Sequence, residues 1–231
     1  MSSNLRVAFY DFDGTLVSSN VVTRYAYFAR HHPSKPVAVW RFSRVLLGVP
    51  LWIALDLYSR RRFNEVFFRQ YRGLREDWLR ETSERLFADQ IEPTIHPGAI
   101  ELIEADRGAG YRLVLVSGAL DFALAPAARH FGFDDVISNR LVFSAGIATG
   151  EIAPPLLAEA AKVAAIRDYC AKYNVDTAHS KAYSDSLSDA PMLEAVGLPA
   201  AVNPDRRLRR LARERGWPVL DLKSTRHGDN R

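Results

Sequence analysis

Apolar residues fill nearly every position of two short runs, 5–10 (LRVAFY) and 111–116 (YRLVLV), which stop at Asp11 and Ser117. Two weaker runs, 180–183 and 200–203, stop at Ser184 and Pro204. Runs this short, closed by turn-forming residues, predict buried strands. Between them the apolar spacing becomes that of helices, over 98–109, 120–131, 156–173, 189–196 and 205–215. Strands alternating with helices predict a Rossmann-like α/β core, a parallel sheet covered on both faces, with ligands just beyond the carboxyl ends of its strands.

One segment breaks this alternation. From 18 to 95 there is only helical periodicity: Val21, Val22, Tyr25 and Phe28, then 37–58, 63–71 and 78–87. This predicts a helical bundle inserted after the first strand as a cap, with Pro93 and Pro97 punctuating the return to the core. The expected division is therefore core over 1–17 and 96–222, cap over 18–95, and a polar, fraying tail over 223–231. Two β-prone runs within 139–151, around Ser144 to Gly146, predict a hairpin.

With 231 residues, 48% hydrophobic and 25% charged, the chain has the composition of an ordinary globular protein with a substantial core. Its single cysteine, Cys170, excludes an intrachain disulfide and reads as a small core residue on a helix. The first ten residues lack a signal-peptide pattern, and the longest uncharged run, 45–55, is shorter than a bilayer span and contains Pro50. No transmembrane helix is expected, and a cytoplasmic location is. The net charge of +4 comes with arginine runs at Arg60 to Arg62 and at Arg206, Arg207, Arg209 and Arg210. These are solvated helix faces, or they attract anionic substrates or an anionic membrane surface. Without a reading motif, nucleic acid is not an expected partner.

Candidate chemistry gathers at the expected strand ends and helix starts: Asp11, Asp13 and Thr15, then Ser117 and Gly118, then Lys162, then Asp185 and Asp189. Each alone has an ordinary explanation as a turn, a helix cap or a surface lysine. Together they suit phosphoryl transfer. Mg2+ takes one or two carboxylates, here Asp11 and Asp185, with water and a substrate phosphate completing its shell. An ionised aspartate can attack phosphorus, while hydroxyl, ammonium and backbone N–H groups from Thr15, Lys162 and Ser117 neutralise the phosphoryl oxygens.

These motifs, DFDGTL at 11–16, LVSG at 115–118, Lys162 and YSDSLSDAPML at 183–193, resemble the four ordered motifs of the haloacid dehalogenase superfamily phosphatases. The resemblance implies that Asp11 is the nucleophile and a metal ligand. Asp13 would be the general acid and base and bind the metal through its carbonyl; Asp185 would be a further metal ligand. Thr15, Ser117, Gly118 and Lys162 would hold the phosphoryl group, and Asp189 would support Lys162 or a metal-bound water. An acid at position 13 favours a phosphatase over a dehalogenase, because the leaving group needs a proton. The inserted helices resemble the cap of the branch that includes phosphoserine phosphatase. Where that enzyme places a glutamate for the substrate's amino group, this chain has VSSN at 17–20 and no acid.

The variant fourth motif and the ending AVNPDRRLRRLARERGWPVLD resemble hydrolases related to bacterial phosphatidylglycerophosphate phosphatase. That resemblance suggests a lipid phosphate as the alternative to the expected substrate class, a phosphorylated small molecule. Phosphotransfer to another acceptor and a silent binding protein are further classes, and the oligomeric state stays open. The apolar cap segment before Arg60 to Arg62 has two readings. Either its helices pack their apolar faces inside the cap, or it forms an interfacial surface with Trp52 in the membrane and the arginines on headgroups.

Overall fold

Along the chain, β1 (Val7–Tyr10) is followed by four cap helices, α1 (Val21–Arg30), α2 (Lys35–Tyr58), α3 (Arg60–Phe67) and α4 (Glu76–Leu86). The core resumes with α5 (Ala99–Gly108), β2 (Arg112–Leu120), α6 (Asp121–Phe131) and β3 (Asp135–Asn139). A hairpin, β4 (Leu141–Ser144) and β5 (Ile147–Ile152), precedes α7 (Ala160–Tyr173) and β6 (Lys181–Ser184). The chain then forms α8 (Ala190–Leu193), β7 (Leu198–Val202), α9 (Arg206–Arg215) and β8 (Val219–Leu220). The computed structural model describes residues 5–158 and 160–223. The expected tail therefore lies, from 224 onward, outside the described residues.

Six strands form one parallel sheet in the order β3-β2-β1-β6-β7-β8. Alternate side chains of a strand point to opposite faces. Ala8, Tyr10, Leu113 and Leu115 accordingly join one core with α5, α6 and the cap. Val7, Phe9, Val114 and Val116 join a second core with Ile166 of α7 and Leu208 of α9. Both faces are dry, which is why 7–10 and 113–116 are apolar at every position. At about 1.5–3 kcal/mol for each fully buried large apolar side chain, the central strands are the most firmly held part of the fold.

Local signals fix the entry to the cap. Asn20 Oδ1 accepts from the N–H groups of Val22 and Thr23, both at 3.0 Å, and Thr23 Oγ1 accepts from Asn20 N at 3.2 Å. This capping box starts α1 four residues after Val17. The expected hairpin forms around Ala145 and Gly146, whose φ values of 48° and 75° suit a two-residue turn between twisted strands. It also tethers the cap: Gly73 N donates to Ala148 O and Ala148 N to Leu74 O, each at 2.8 Å.

Several elements differ from expectation. β2 continues past Val116 to Leu120, with a register shift against β3 between Ser117 and Leu120. The edge strands β3 and β8 have no strong apolar run, since edges bury less of each side chain. The helix expected over 189–196 is a 3-10 turn, Leu187–Asp189, and the single turn of α8, with Pro191 at its start and Gly197 soon after its end.

The helix expected over 37–58 forms as α2. It is one 24-residue helix running through Pro50, long and apolar enough by length and composition to cross a membrane; the uncharged run 45–55 understated it because only Arg41 and Arg44 interrupt the apolar residues on its amino-terminal side. Its inner face packs in the cap through Val45 and Trp52, the latter edge-on to Phe67 with ring centroids 5.1 Å apart. Trp52 thus faces the cap interior, not outward as the interfacial reading had it. Leu47, Leu57 and Tyr58 on the other face are 82, 84 and 84% exposed.

Candidate active site

β1 delivers Asp11 to the carboxyl edge of the sheet, and its neighbour β6 delivers Asp185. Asp11 N donates to Tyr183 O at 2.9 Å, so the ladder between the two strands extends to the first carboxylate. Beyond it the chain turns at Gly14, where φ is +84°. A Cβ at position 14 would stand 2.0 Å from Asp185 Oδ2. Only glycine permits both this backbone conformation and so close an approach.

The carboxylates share donors. Thr15 Oγ1 lies 3.2 Å from Asp11 Oδ2 and 3.4 Å from Asp185 Oδ1, bridging the pair. Lys162, in the first turn of α7, donates to Asp11 Oδ1 at 2.7 Å and to Asp189 Oδ2 at 2.8 Å. Ser184 Oγ donates to the same Asp189 oxygen at 2.9 Å. Lys162, Asp11 and Asp189 are all buried.

Burial pushes the Asp11 carboxyl up to about 6; the Asp189 and Asp13 charges add to this and Lys162 opposes it. Asp185 is pushed up to about 8 by burial and by the charges of Asp11 and Asp189. Burial alone would depress the Lys162 ammonium, but the charges of Asp11 and Asp189, and its hydrogen bonds to both, hold it above the ordinary lysine range. Two carboxylates that resist ionisation side by side are what a cation between them would relieve.

Asp13 points to a different partner. Its two carboxylate oxygens accept from Nη2 of Arg24 at 2.6 and 2.5 Å, and Arg24, on α1, is 1% exposed. Arg24 also donates to Ser19 and lies 5.5 Å from the centre of the Phe12 ring. The Asp13–Arg24 pair stands apart from the network at the ends of β1 and β6, in which three carboxylates, Asp11, Asp185 and Asp189, face one cation, Lys162. The deficit of two positive charges matches one divalent ion. Among the described residues no trio of His, Cys, Asp or Glu forms a metal cage. Two carboxylates supplemented by a backbone carbonyl are instead the sparse oxygen set that suits Mg2+.

Ser117 is buried at the bend of β2, and its Oγ accepts from Ala119 N at 3.2 Å, which leaves the hydroxyl proton to donate. Asn139 fastens this bend, donating to Gly118 O and accepting from Leu157 N, each at 2.7 Å. Asn203 reaches from the end of β7 to the carbonyls of Gly14 and Thr15 at 3.4 and 3.3 Å. A cavity of about 140 Å³ joins Asp11, Asp13, Ser117, Gly118, Lys162, Asp185 and Asp189. Thr15 sits just behind it. The cap closes the cavity with Val21, Arg60 and Asn64. A larger open groove of about 820 Å³, beside Lys181, Gly197 and Trp217, holds none of these groups.

Arg24, Asn64, Asn139 and Asn203 escaped the sequence reading, while Arg60 belongs to the basic run for which attraction of anionic substrates was one reading. Arg24 had a usable signal, since it shares the helical stripe of Val21 and Phe28 and a buried cation needs a carboxylate. Cys170 is buried on α7, and burial raises its thiol pKa, as befits a core residue.

A parallel sheet with carboxylates at the ends of adjacent strands, a buried lysine from α7 between them and an inserted helical cap over the cavity define a capped, Rossmann-like α/β fold. The chain belongs to the haloacid dehalogenase-like hydrolase family, whose model matches residues 8–194. It is 40% identical over 152 residues to the "inhibition of morphological differentiation protein" of Streptomyces azureus, a match covering 65% of this chain and 54% of that one. The chain thus spans about half the length of that relative. It is 29% identical to phosphoserine phosphatase SerB1 of Mycobacterium tuberculosis over 95% of this chain and 71% of the other. Among solved structures, a protein of unknown function from Bordetella pertussis superposes with a TM-score of 0.83 at 26% identity, covering 95% of this chain and all of that one.

Proposed function

We propose that this protein is a Mg2+-dependent phosphomonoester hydrolase working through an aspartyl phosphate on Asp11. The observation that carries this reading is the convergence of Asp11, Lys162, Asp189 and Asp185 at the ends of β1 and β6. Asp11, Asp185 and the carbonyl of Asp13 would hold Mg2+. That ion would neutralise charge on the phosphoryl oxygens and between the two carboxylates. Asp11 Oδ2 attacks phosphorus as the P–O bond to the leaving group breaks. Asp13, exchanging Arg24 for the substrate, gives that oxygen its proton. It then takes a proton from water, which attacks phosphorus; the bond to Asp11 breaks and inorganic phosphate leaves. Lys162 stabilises the equatorial oxygens with Thr15, Ser117 and the N–H of Gly118, and Asp189 holds Lys162 in place.

The substrate is a phosphorylated small molecule whose leaving group meets Val21, Arg60 and Asn64 under the cap. Phosphoserine, for which the mycobacterial relative is named, would find no carboxylate for its amino group at 17–20. A lipid phosphate is the second reading, favoured by the exposed apolar face of α2, whose carboxyl end leads directly to Arg60. Phosphate release from p-nitrophenyl phosphate, measured with and without Mg2+, tests the reaction. Activity should require the metal, and Asp11→Asn should lower it by roughly a thousandfold or more while the protein stays folded. Full activity of that variant would remove Asp11 as the nucleophile.

A further inference from the structure

α2 is apolar on both of its faces, and the cap covers only one. Leu46, Leu47, Leu51, Ile53, Leu57 and Tyr58 point outward, each at least half exposed. In the last three turns of α2 the one charged side chain is Asp56, which pairs with Arg60 at 3.0 Å. Isolated exposed leucines are common, but a contiguous row along one helix marks a surface that is covered in use.

Charge identifies the cover. At positions 18–95 the chain has 13 Lys and Arg against 8 Asp and Glu, and elsewhere 18 against 19, so the whole net charge of +4 resides in the cap. Between Arg30 and Arg62 there are seven basic residues and one acid, Asp56. Basic groups also bracket the apolar row. Toward its amino end, a pocket of about 480 Å³ brings together Arg41, Arg44, Arg69, Arg72 and Trp40. At its carboxyl end stand Arg60, Arg61 and Arg62, which pair with Asp56 and Glu65 and are 42, 69 and 68% exposed, leaving a net charge of one positive there. An apolar strip between two basic clusters complements an anionic bilayer, whose acyl region takes the leucines and whose headgroups take the arginines. A second copy fits less well, because a two-fold pairing through α2 would set the basic segments of both chains against each other.

We infer that the outward face of α2 docks this protein on an anionic lipid surface, with the helix lying in the interface plane. α2 is held alongside the cap rather than crossing, since Val45 and Trp52 keep its inner face packed on protein. This inference does not depend on the chemistry proposed for Asp11. It sets the mouth of the catalytic cavity close to the membrane, because Arg60, two residues beyond α2, lines that cavity.

Sedimentation of the full-length protein with vesicles tests it. Binding to vesicles of equal phosphatidylcholine and phosphatidylglycerol should be at least about tenfold tighter than to phosphatidylcholine alone, and should fall in high salt. The double variant Leu47→Glu/Leu51→Glu should lose binding by a similar factor while keeping its far-UV circular dichroism and melting temperature, since both side chains are exposed. Equal binding to neutral vesicles, or no binding, overturns the proposal. So does a double variant that binds like the parent while Arg206→Glu/Arg207→Glu does not, which would move the contact to α9. A lipid-free dimer that the leucine variant dissociates would make this face a self-interface. Resistance of the vesicle-bound protein to alkaline carbonate would mean that α2 crosses the bilayer.

Discussion

Replacing Lys162 by Met keeps most of the side-chain volume and removes one charge from the most congested part of the molecule. Lys162 Nζ sits 2.7 Å from Asp11 and 2.8 Å from Asp189, and all three side chains are at most 8% exposed. Solvent screening is therefore slight, and breaking a buried pair by deleting one partner costs about 3–5 kcal/mol. For a chain of this size that corresponds to a fall in melting temperature of roughly 6–20 °C. The loss should depend on pH, with a definite sign. The lysine itself does not titrate between pH 5 and 9, because its pKa is held above the ordinary value. Once it is gone, Asp11 is buried without the cation that opposed the effect of burial, and its proton affinity rises further above that in the unfolded chain. A group raised in this way stabilises fully below its unfolded pKa and loses that contribution as pH rises. The variant should approach the parent near pH 5 and fall furthest below it near pH 8. Scanning calorimetry of metal-free protein at both values measures this. A deficit under about 2 °C at pH 8, or an equal deficit at both, would refute the account of Lys162 as counter-ion to the cluster.

The same electrostatics predict the response to metal. Asp11 and Asp185 are raised from 3.8 to about 6 and about 8, so the metal-free protein loses stability as pH climbs from about 4 toward 8. The rise in melting temperature on adding Mg2+ should accordingly be larger at pH 8 than at pH 5, and an equal or reversed shift would count against the site. Gly14→Ala should lower stability by at least about 1 kcal/mol for its left-handed backbone alone. It should also weaken Mg2+ binding by displacing Asp185, and isothermal titration with an unchanged metal affinity would show that the close approach is not needed.

What the sequence disclosed follows physical lines. Strands dry on both faces carry apolar residues throughout, so β1 and most of β2 were plain. The edge strands β3 and β8, which bury less, were not. The carboxylates of DFDGTL stood out because two acids beside a buried strand need a compensating partner. Asn139 and Asn203 left no trace, because an amide's role is set by carbonyls brought near only by the fold, such as Gly118 and Gly14. For α2, periodicity failed in a particular way. When both faces of a helix are apolar, spacing cannot tell which one the protein covers.

The place of β1 in the middle of the sheet has a consequence for how the chain comes into being. The strand that leads to Asp11 is flanked by β2 and β6, and Asp185 is made 174 residues after Asp11. At about 5–20 residues per second, a ribosome needs roughly ten to forty seconds before that second carboxylate exists. A fragment ending after α7 has Asp11 and Lys162 but not Asp185. The proposed divalent site thus exists only once β6 has been made, and a ligand that binds there rewards that late step of folding rather than any before it.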